Sequence, residues 1–290
     1  MFKKAWRALA PNPLDQILKR AQKQGAKRVL LYWNRGLGDI ALGLFAIVYR
    51  IRTFLPDAEI TFVTRPNLEG GFTLLGGVKV IVLPELKRGQ DIVMDTEGYD
   101  LVIERPDPTY WVKWQLGKLT PKLHWQSQWD ALCERYPLKK EGRYIGAHVQ
   151  TETAYATWRN WPDAHWRELF ERVHRRGVEV LLFGYGNEPV FKQEGVIDLR
   201  GQTPLFELLS IIKNRCEALV VPDSGVSSMT YFLDMPFPLK IVSLWADPYM
   251  GILKQNVASP NPLLVHKPLI GPGKKIDLIT PEMVERTLFD

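Results

Sequence analysis

The sequence predicts an α/β protein with two parallel sheets, and three observations lead there. Short apolar runs alternate with helix-period segments, the pattern of repeated βαβ units. That series runs twice, on either side of a break near 106–142 that is rich in Pro, Trp and Lys. The length of 290 residues also exceeds the usual size of one compact core. Two domains are therefore expected, 1–142 and 143–290.

Each element has its own signal. In the first half, Arg28–Trp33 reads as a strand, followed by a helix from about Ile40 to Phe54. "AEITFVTR" (58–65), "VKVIVLP" (78–84) and "YDLVIER" (99–105) supply further strands. In the second half, "RYIGAHV" (143–149) is a strand. The next helix, Asp163 to Arg176, has Pro162 and Asp163 as start signals and Gly177 as its stop. "VEVLLFG" (178–184) follows as a strand, then a helix over Thr203–Asn214 opened by Thr203-Pro204. "EALVVP" (217–222) is a strand, "SGVSSMTYFLD" (224–234) a helix and "LKIVSLW" (239–245) a strand. Pro281–Asp290 reads as a terminal helix, expected to pack back on the N-terminal domain.

Composition narrows the class. At 46% hydrophobic and 24% charged the chain is globular. The uncharged run Ile40–Tyr49 is too short to span a bilayer. "MFKKAWRALAPNPLDQ" has a basic start with no apolar core behind it. Cys133 and Cys216 lie far apart without metal-type spacing, which fits a reducing cytosol. A cytoplasmic protein is expected, with peripheral contact at the inner face of a membrane.

The net charge of +6 suits nucleic acid, anionic lipid or a phosphorylated substrate. Positive charge gathers in 1–28 and in 113–143, and the second region is also aromatic, with Trp111, Trp114, Trp125 and Trp129 nearby. Basic residues interleaved with Trp suit a membrane headgroup layer or a sugar-binding surface. A solvated face over an aromatic core gives the same pattern, and both readings stay open. No helix-turn-helix, RRM or zinc-finger pattern is present, so nucleic acid is not expected as a partner.

Open α/β sheets bind ligands beyond the carboxyl ends of their strands, so the loops after strands carry the most information. "GLGDIA" (36–41) matches the dinucleotide fingerprint G-x-G-x-x-G/A, with Gly36 and Gly38 in the turn. Asp39 would repel a pyrophosphate at that helix start. The second strand ends at Thr64-Arg65, without an acid for a ribose, although Arg65 suits a 2′-phosphate. Alternatively Asp39 simply caps the helix. The matching loop of the second half, "VVPDSGVSS" (220–228), places Asp223 after a strand and Ser224-Gly225 at a helix start. Small residues with exposed amides there can accept a diphosphate; a plain N-cap is again the alternative. In "ATWRNWPDAHW" (156–166), Arg159 is a permanently charged fork suited to phosphate, while Trp158 and Trp161 either wall a pocket or pack as core. "FGYGNEP" (183–189) offers Glu188 to a ribose hydroxyl pair, or is an ordinary turn.

Taken in order, "RGLGDIALGLFAIVYRIRTFLPDAEITFV", "RNWPDAHWRELFERV", "VEVLLFGYGNEP", "LRGQTPLFELLSIIKNRCEALVVPDSG" and "VSLWADP" resemble the heptosyltransferase-type glycosyltransferases of family 9. The resemblance covers 27–65 and 143–250 and is poor in 106–142. It implies a GT-B fold, two facing Rossmann-like domains with an interdomain cleft. It also implies a nucleotide-sugar held mainly by the C-terminal domain and inverting, metal-independent transfer with no cofactor. By position, Asp39 matches the family's catalytic aspartate, a general base for the acceptor hydroxyl. Arg159 stands where the family has Lys before its "WP" pair and would neutralise the leaving diphosphate, assisted by the amides of Ser224 and Gly225. Glu188 falls near the ribose-binding glutamate, and Asp223 matches the aspartate on donor sugar and phosphate. Ser228 occupies a position where the family commonly has His. The acceptor implied is a lipid-linked glycan such as a lipopolysaccharide core. Two rivals remain: an NADP-dependent oxidoreductase, from "GLGDIA" and Arg65, and a binding protein that kept the fold without activity, from Ser228.

Overall fold

The computed structural model describes residues 12–151, 157–186 and 188–290. Lys3, Lys4 and Arg7 of the basic start, Ala156 and Asn187 lie outside the described residues. The chain divides into two units, the first ending at Pro121 and the second beginning at Lys122.

The described part of the first unit begins with a helix that the strand-led sequence pattern passed over, α1 (Pro13–Lys23). Its signals are local: the Asn12 side chain accepts a hydrogen bond from the Leu14 amide, and Pro13 occupies the first turn. Leu14, Leu18 and Ala21 are its buried face. Then come β1 (Arg28–Tyr32), a wide π-turn at Ile40–Leu44 running into α2 (Phe45–Phe54), and β2 (Glu59–Thr64). α3 (Glu69–Leu75), β3 (Lys79–Val82) and β4 (Leu101–Ile103) complete it. The sheet order is β3-β2-β1-β4, and every pairing is parallel. β2 and β3 lie on one side of β1 and β4 on the other. The loop after β1 thus opens at the point where strand order reverses, where such sheets bind ligands.

The second unit runs β5 (Tyr144–His148), α4 (Asp163–His174), β6 (Glu179–Phe183) and β7 (Val196–Asp198). It continues with α5 (Leu205–Arg215), β8 (Cys216–Pro222), α6 (Gly225–Tyr231) and β9 (Leu239–Trp245). α7 (Gly251–Gln255), β10 (Leu264–Ile270) and α8 (Pro281–Phe289) end it. The parallel order is β10-β9-β8-β5-β6-β7, so the reversal falls between β5 and β8. Strands buried on both faces explain the near-continuous apolar runs read from sequence.

Two expectations shift. The division falls at Pro121/Lys122 because 122–142 packs on α5. Trp129 stacks on Phe206 at 4.3 Å, the Cys133 amide donates to Ser210 Oγ at 3.0 Å, and Lys213 pairs with Asp130 at 2.9 Å. The Trp side chains of the basic block are used in packing: Trp125 is buried, and Trp114 lies under Arg50 at 5.3 Å in the first unit. The terminal helix α8 belongs to the second unit. Val284 and Leu288 join its core, and Glu285 pairs with Arg172 of α4 at 3.0 Å and with Arg176 in the turn after it at 2.7 Å. No helix among the described residues is long and apolar enough to cross a membrane.

Candidate active site

In the first unit, the loop after β1 is tied down before it reaches Asp39. Thr64 Oγ1 at the end of β2 donates to the Trp33 carbonyl at 2.6 Å, and Arg65 donates to the Arg35 carbonyl at 3.1 Å. Asn34 donates to the Lys87 and Gln90 carbonyls at 3.1 and 2.6 Å. Arg65 is buried and committed to this loop, which removes it from the 2′-phosphate role that the oxidoreductase rival needs.

Asp39 precedes the π-turn in helical backbone and makes no capping hydrogen bond, so the simple N-cap reading does not describe it. Its carboxylate folds over Gly36, where a Cβ would collide with Oδ2. Gly38 stands beside it in the same turn. On the other side Gly71 of α3 admits Leu37 and Ile40, whose side-chain carbons would lie 2.9 and 2.6 Å from an added Cβ. The helix expected from Ile40 starts instead with an i→i+5 bond from the Phe45 amide to the Ile40 carbonyl. Such π-turns recur at functional sites. Asp39 lines a cavity of about 640 Å³ together with Asn34, Arg35, Asp91, Arg105 and Asp107, all of the first unit.

In the second unit, Arg159 ends a short turn after β5, and Asp223 follows β8, the strand beside it. Arg159 Nη1 lies 3.2 Å from Asp223 Oδ2 and 3.3 Å from its carbonyl oxygen. The two side chains are 16% and 9% exposed. Burial pushes the Asp223 carboxyl up from its ordinary value, and the Arg159 guanidinium opposes that shift. Sequence reasoning missed what holds the other side. Gly251, at φ +47°, opens α7, and a Cβ on it would collide with Asp223 Oδ1 and meet the Trp245 ring at 2.8 Å. Trp245 is itself fixed, donating to Ser243 Oγ at 2.6 Å, which lies 2.6 Å from His266 Nε2. The available signal was the lone glycine closing "WADPYMG" after a strand.

Ser224 caps α6, its hydroxyl accepting from the Ser227 amide at 3.3 Å, and Gly225 is the first helical residue. Ser228 is fully buried and donates to the Ser224 carbonyl at 3.3 Å, bracing that turn from within. Glu188 is exposed in the loop after β6. That loop is anchored by Arg200, which sequence reasoning also missed: it is buried, donates to the Pro189 carbonyl at 2.9 Å and pairs with Asp198 at 2.6 Å. Trp161 is core, donating to the Ile279 carbonyl at 2.8 Å, whereas Trp158 is 47% exposed. The structure thus brings Arg159, Asp223 and Ser224 together, with Glu188 in a separate loop. Among the described residues no group of three His, Cys, Asp or Glu could hold a metal ion.

Two parallel α/β units, each with charged side chains in the loops at its strand-order reversal, define the GT-B class. The model of glycosyltransferase family 9 (heptosyltransferase) matches residues 115–237. Over those residues, less than half of its length, the chain is similar to that family. Its fold is similar to E. coli ADP-heptose lps heptosyltransferase II, with a TM-score of 0.60 and 19% identity over 90% of this chain and 97% of that one. It is equally similar to a family 9 glycosyl transferase of Veillonella parvula, at 0.60 and 15% identity over 90% and 97%. E. coli heptosyltransferase WaaC with ADP matches at 0.51 and 16% identity over 89% and 96%. A curated relative, an endoglucanase of Paenibacillus polymyxa, is 24% identical over 287 residues, 93% of this chain; the chain spans 63% of that relative's length.

Proposed function

We propose that the protein is an inverting glycosyltransferase. It moves a sugar, a heptose in the narrowest reading, from a nucleotide-diphosphate donor to a hydroxyl of a lipopolysaccharide-core-like or other glycan. The observation that carries this reading is the buried Arg159–Asp223 pair at the strand-order reversal of the second sheet. It stands in a chain similar to heptosyltransferases whose structures contain ADP and ADP-2-deoxy-2-fluoro heptose.

In this reading Asp223 holds the Arg159 fork in place, and Arg159 stabilises the negative charge that grows on the leaving diphosphate. The amides at Ser224 and Gly225 assist, Asp223 also meets the donor sugar, and Glu188 takes the ribose. Asp39 accepts the proton of the attacking hydroxyl, so nucleophile and leaving group are served by different residues. No cofactor or metal takes part, and turnover is expected to survive a chelator. The exposed Lys19, Arg20 and Lys23 of α1 support peripheral contact with an anionic membrane on the cytoplasmic side. Co-sedimentation with anionic but not neutral vesicles checks that part.

A thermal-shift series with ADP-, GDP-, UDP- and CMP-sugars tests the donor. One of them raises Tm by mass action in wild type and Asp39→Asn, and fails to in Arg159→Ala. Stabilisation by NADPH with no response to any nucleotide sugar would overturn the reading.

A further inference from the structure

We infer that Ser243 and His266 are positioning residues for Asp223, acting through the Trp245 ring, an inference that rests on the donor site proposed at Arg159 and Asp223. A Cβ on Gly251 would collide with Asp223 Oδ1 and stand 2.8 and 2.9 Å from Trp245 Cη2 and Cζ3, so the carboxylate and the ring edge pack on the same glycine. Cη2 and Cζ3 belong to the six-membered ring, away from Nε1, and the indole is pinned at its Nε1 end. Nε1 donates to Ser243 Oγ at 2.6 Å, and that Oγ lies 2.6 Å from His266 Nε2. An indole N–H can only donate, so Oγ accepts from Trp245 and gives its own proton to His266. Burial pushes the His266 imidazole down from 6.5 to about 4, which keeps it neutral and able to accept at neutral pH. Trp245 and Ser243 are both buried, so either polar group without its partner would be left unsatisfied, and that cost holds the ring in place. The chain of contacts crosses the sheet from its edge: His266 on β10, Ser243 and Trp245 on β9, Gly251 at the start of α7, Asp223 after β8. His266 also meets the Tyr231 ring edge-on at 5.1 Å, in α6, the helix that Ser224 caps. One imidazole thus supports both the ring beside Asp223 and the helix that follows it.

Three variants separate positioning from packing. Ser243→Ala removes the hydroxyl between indole and imidazole. His266→Leu removes the acceptor, whereas His266→Gln offers an amide oxygen at similar reach. Calorimetric titration gives the affinity of each for ADP, or for GDP or UDP where wild type binds one of those instead. Ser243→Ala and His266→Leu raise the dissociation constant roughly three- to tenfold, about what one lost hydrogen bond is worth. His266→Gln stays within about twofold of wild type, because its acceptor is kept. Gly251 is the step between ring and carboxylate, so Ser243→Ala costs less affinity in a Gly251→Ala background than in wild type. Val284→Ala, in the core of the same unit, is the control for lost stability alone and keeps wild-type affinity.

If Arg159→Ala loses the nucleotide while Ser243→Ala binds it like wild type, or while Val284→Ala loses as much affinity as Ser243→Ala, the positioning role is wrong and the donor site stands. His266→Gln as weak as His266→Leu, or equal costs of Ser243→Ala in the two backgrounds, also overturns it. If wild type binds none of the three nucleotides, or Arg159→Ala keeps wild-type affinity, the donor site and the inference both fall. Should Ser243→Ala fail to fold, His266→Leu against His266→Gln decides alone.

Discussion

The two strand-end loops look alike in sequence, an acid after an apolar strand followed by small residues, yet the structure holds the two acids by opposite means. Asp39 is placed by backbone: Gly36 beneath its carboxylate, Gly71 behind Leu37 and Ile40, and a π-turn that no regular helix pattern predicts. Asp223 is placed by charge and a side-chain clamp, with Arg159 on Oδ2 and Gly251 against Oδ1. In the proposed reading Asp39 accepts a proton and Asp223 orients a guanidinium, so the two superficially similar aspartates take different tasks.

The largest expected effect breaks the first arrangement. Asp39→Asn keeps the shape and loses the base, so turnover falls by about 10²–10⁴ with nucleotide affinity unchanged, as kinetics and calorimetry on one preparation can read. Breaking the second gives the reverse pattern. Arg159→Ala leaves Asp223 buried without its cation, at a cost approaching about 3 kcal/mol, and nucleotide binding is lost before chemistry. The sign of its pH dependence is fixed. The folded pKa of Asp223 lies above the unfolded value, so its contribution to stability is present below the ordinary carboxyl value and is lost as pH rises through the folded one. Arg159→Ala raises that folded value further. Urea titrations from pH 3 to pH 7 should show this variant losing ground to wild type, and the Arg159→Ala/Asp223→Asn pair should remove the slope.

A smaller effect sharpens the clamp. Gly251→Ala places a Cβ at φ +47° into Asp223 and the Trp245 ring, costing about 1–3 kcal/mol and weakening nucleotide binding with little effect on Asp39 chemistry. At the end of β5, the strand beside β8, lies His148, whose burial pushes its imidazole down from 6.5 to about 4. A folded value below the unfolded one gives stability that is present above pH 6.5 and lost as pH falls toward 4. His148→Gln should therefore flatten acid unfolding over that window, measured by Tm against pH.

Much of this organisation was legible in the sequence, because strands buried on two faces must be apolar and loops at their ends must carry the charge. β1, β2, β5, β6, β8 and β9 stand where their apolar runs are, and the strand-end loops that contain Asp39, Arg159 and Asp223 followed from them. β10 was missed because it is an edge strand: its exposed residues and Pro268 break the apolar run, and only an edge tolerates that proline. The domain boundary was misplaced because aromatic, basic 122–142 has no period of its own and packs as irregular chain on α5. The π-turn at Ile40–Leu44 has the composition of an ordinary helix, and what meets it, Pro108 at Gly43 and Gln115 at the Leu42 carbonyl, comes from far away in the chain. Gly251 and Arg200 escaped for the same reason. Their roles arise from what they meet in space, and the only local signal was the lone glycine after the β9 strand end.

The most direct test is turnover by Asp39→Asn, with a nucleotide sugar and an acceptor on which wild type is active. The account predicts a fall of at least about a hundredfold in kcat with the donor dissociation constant unchanged. Turnover within a few-fold of wild type would contradict it.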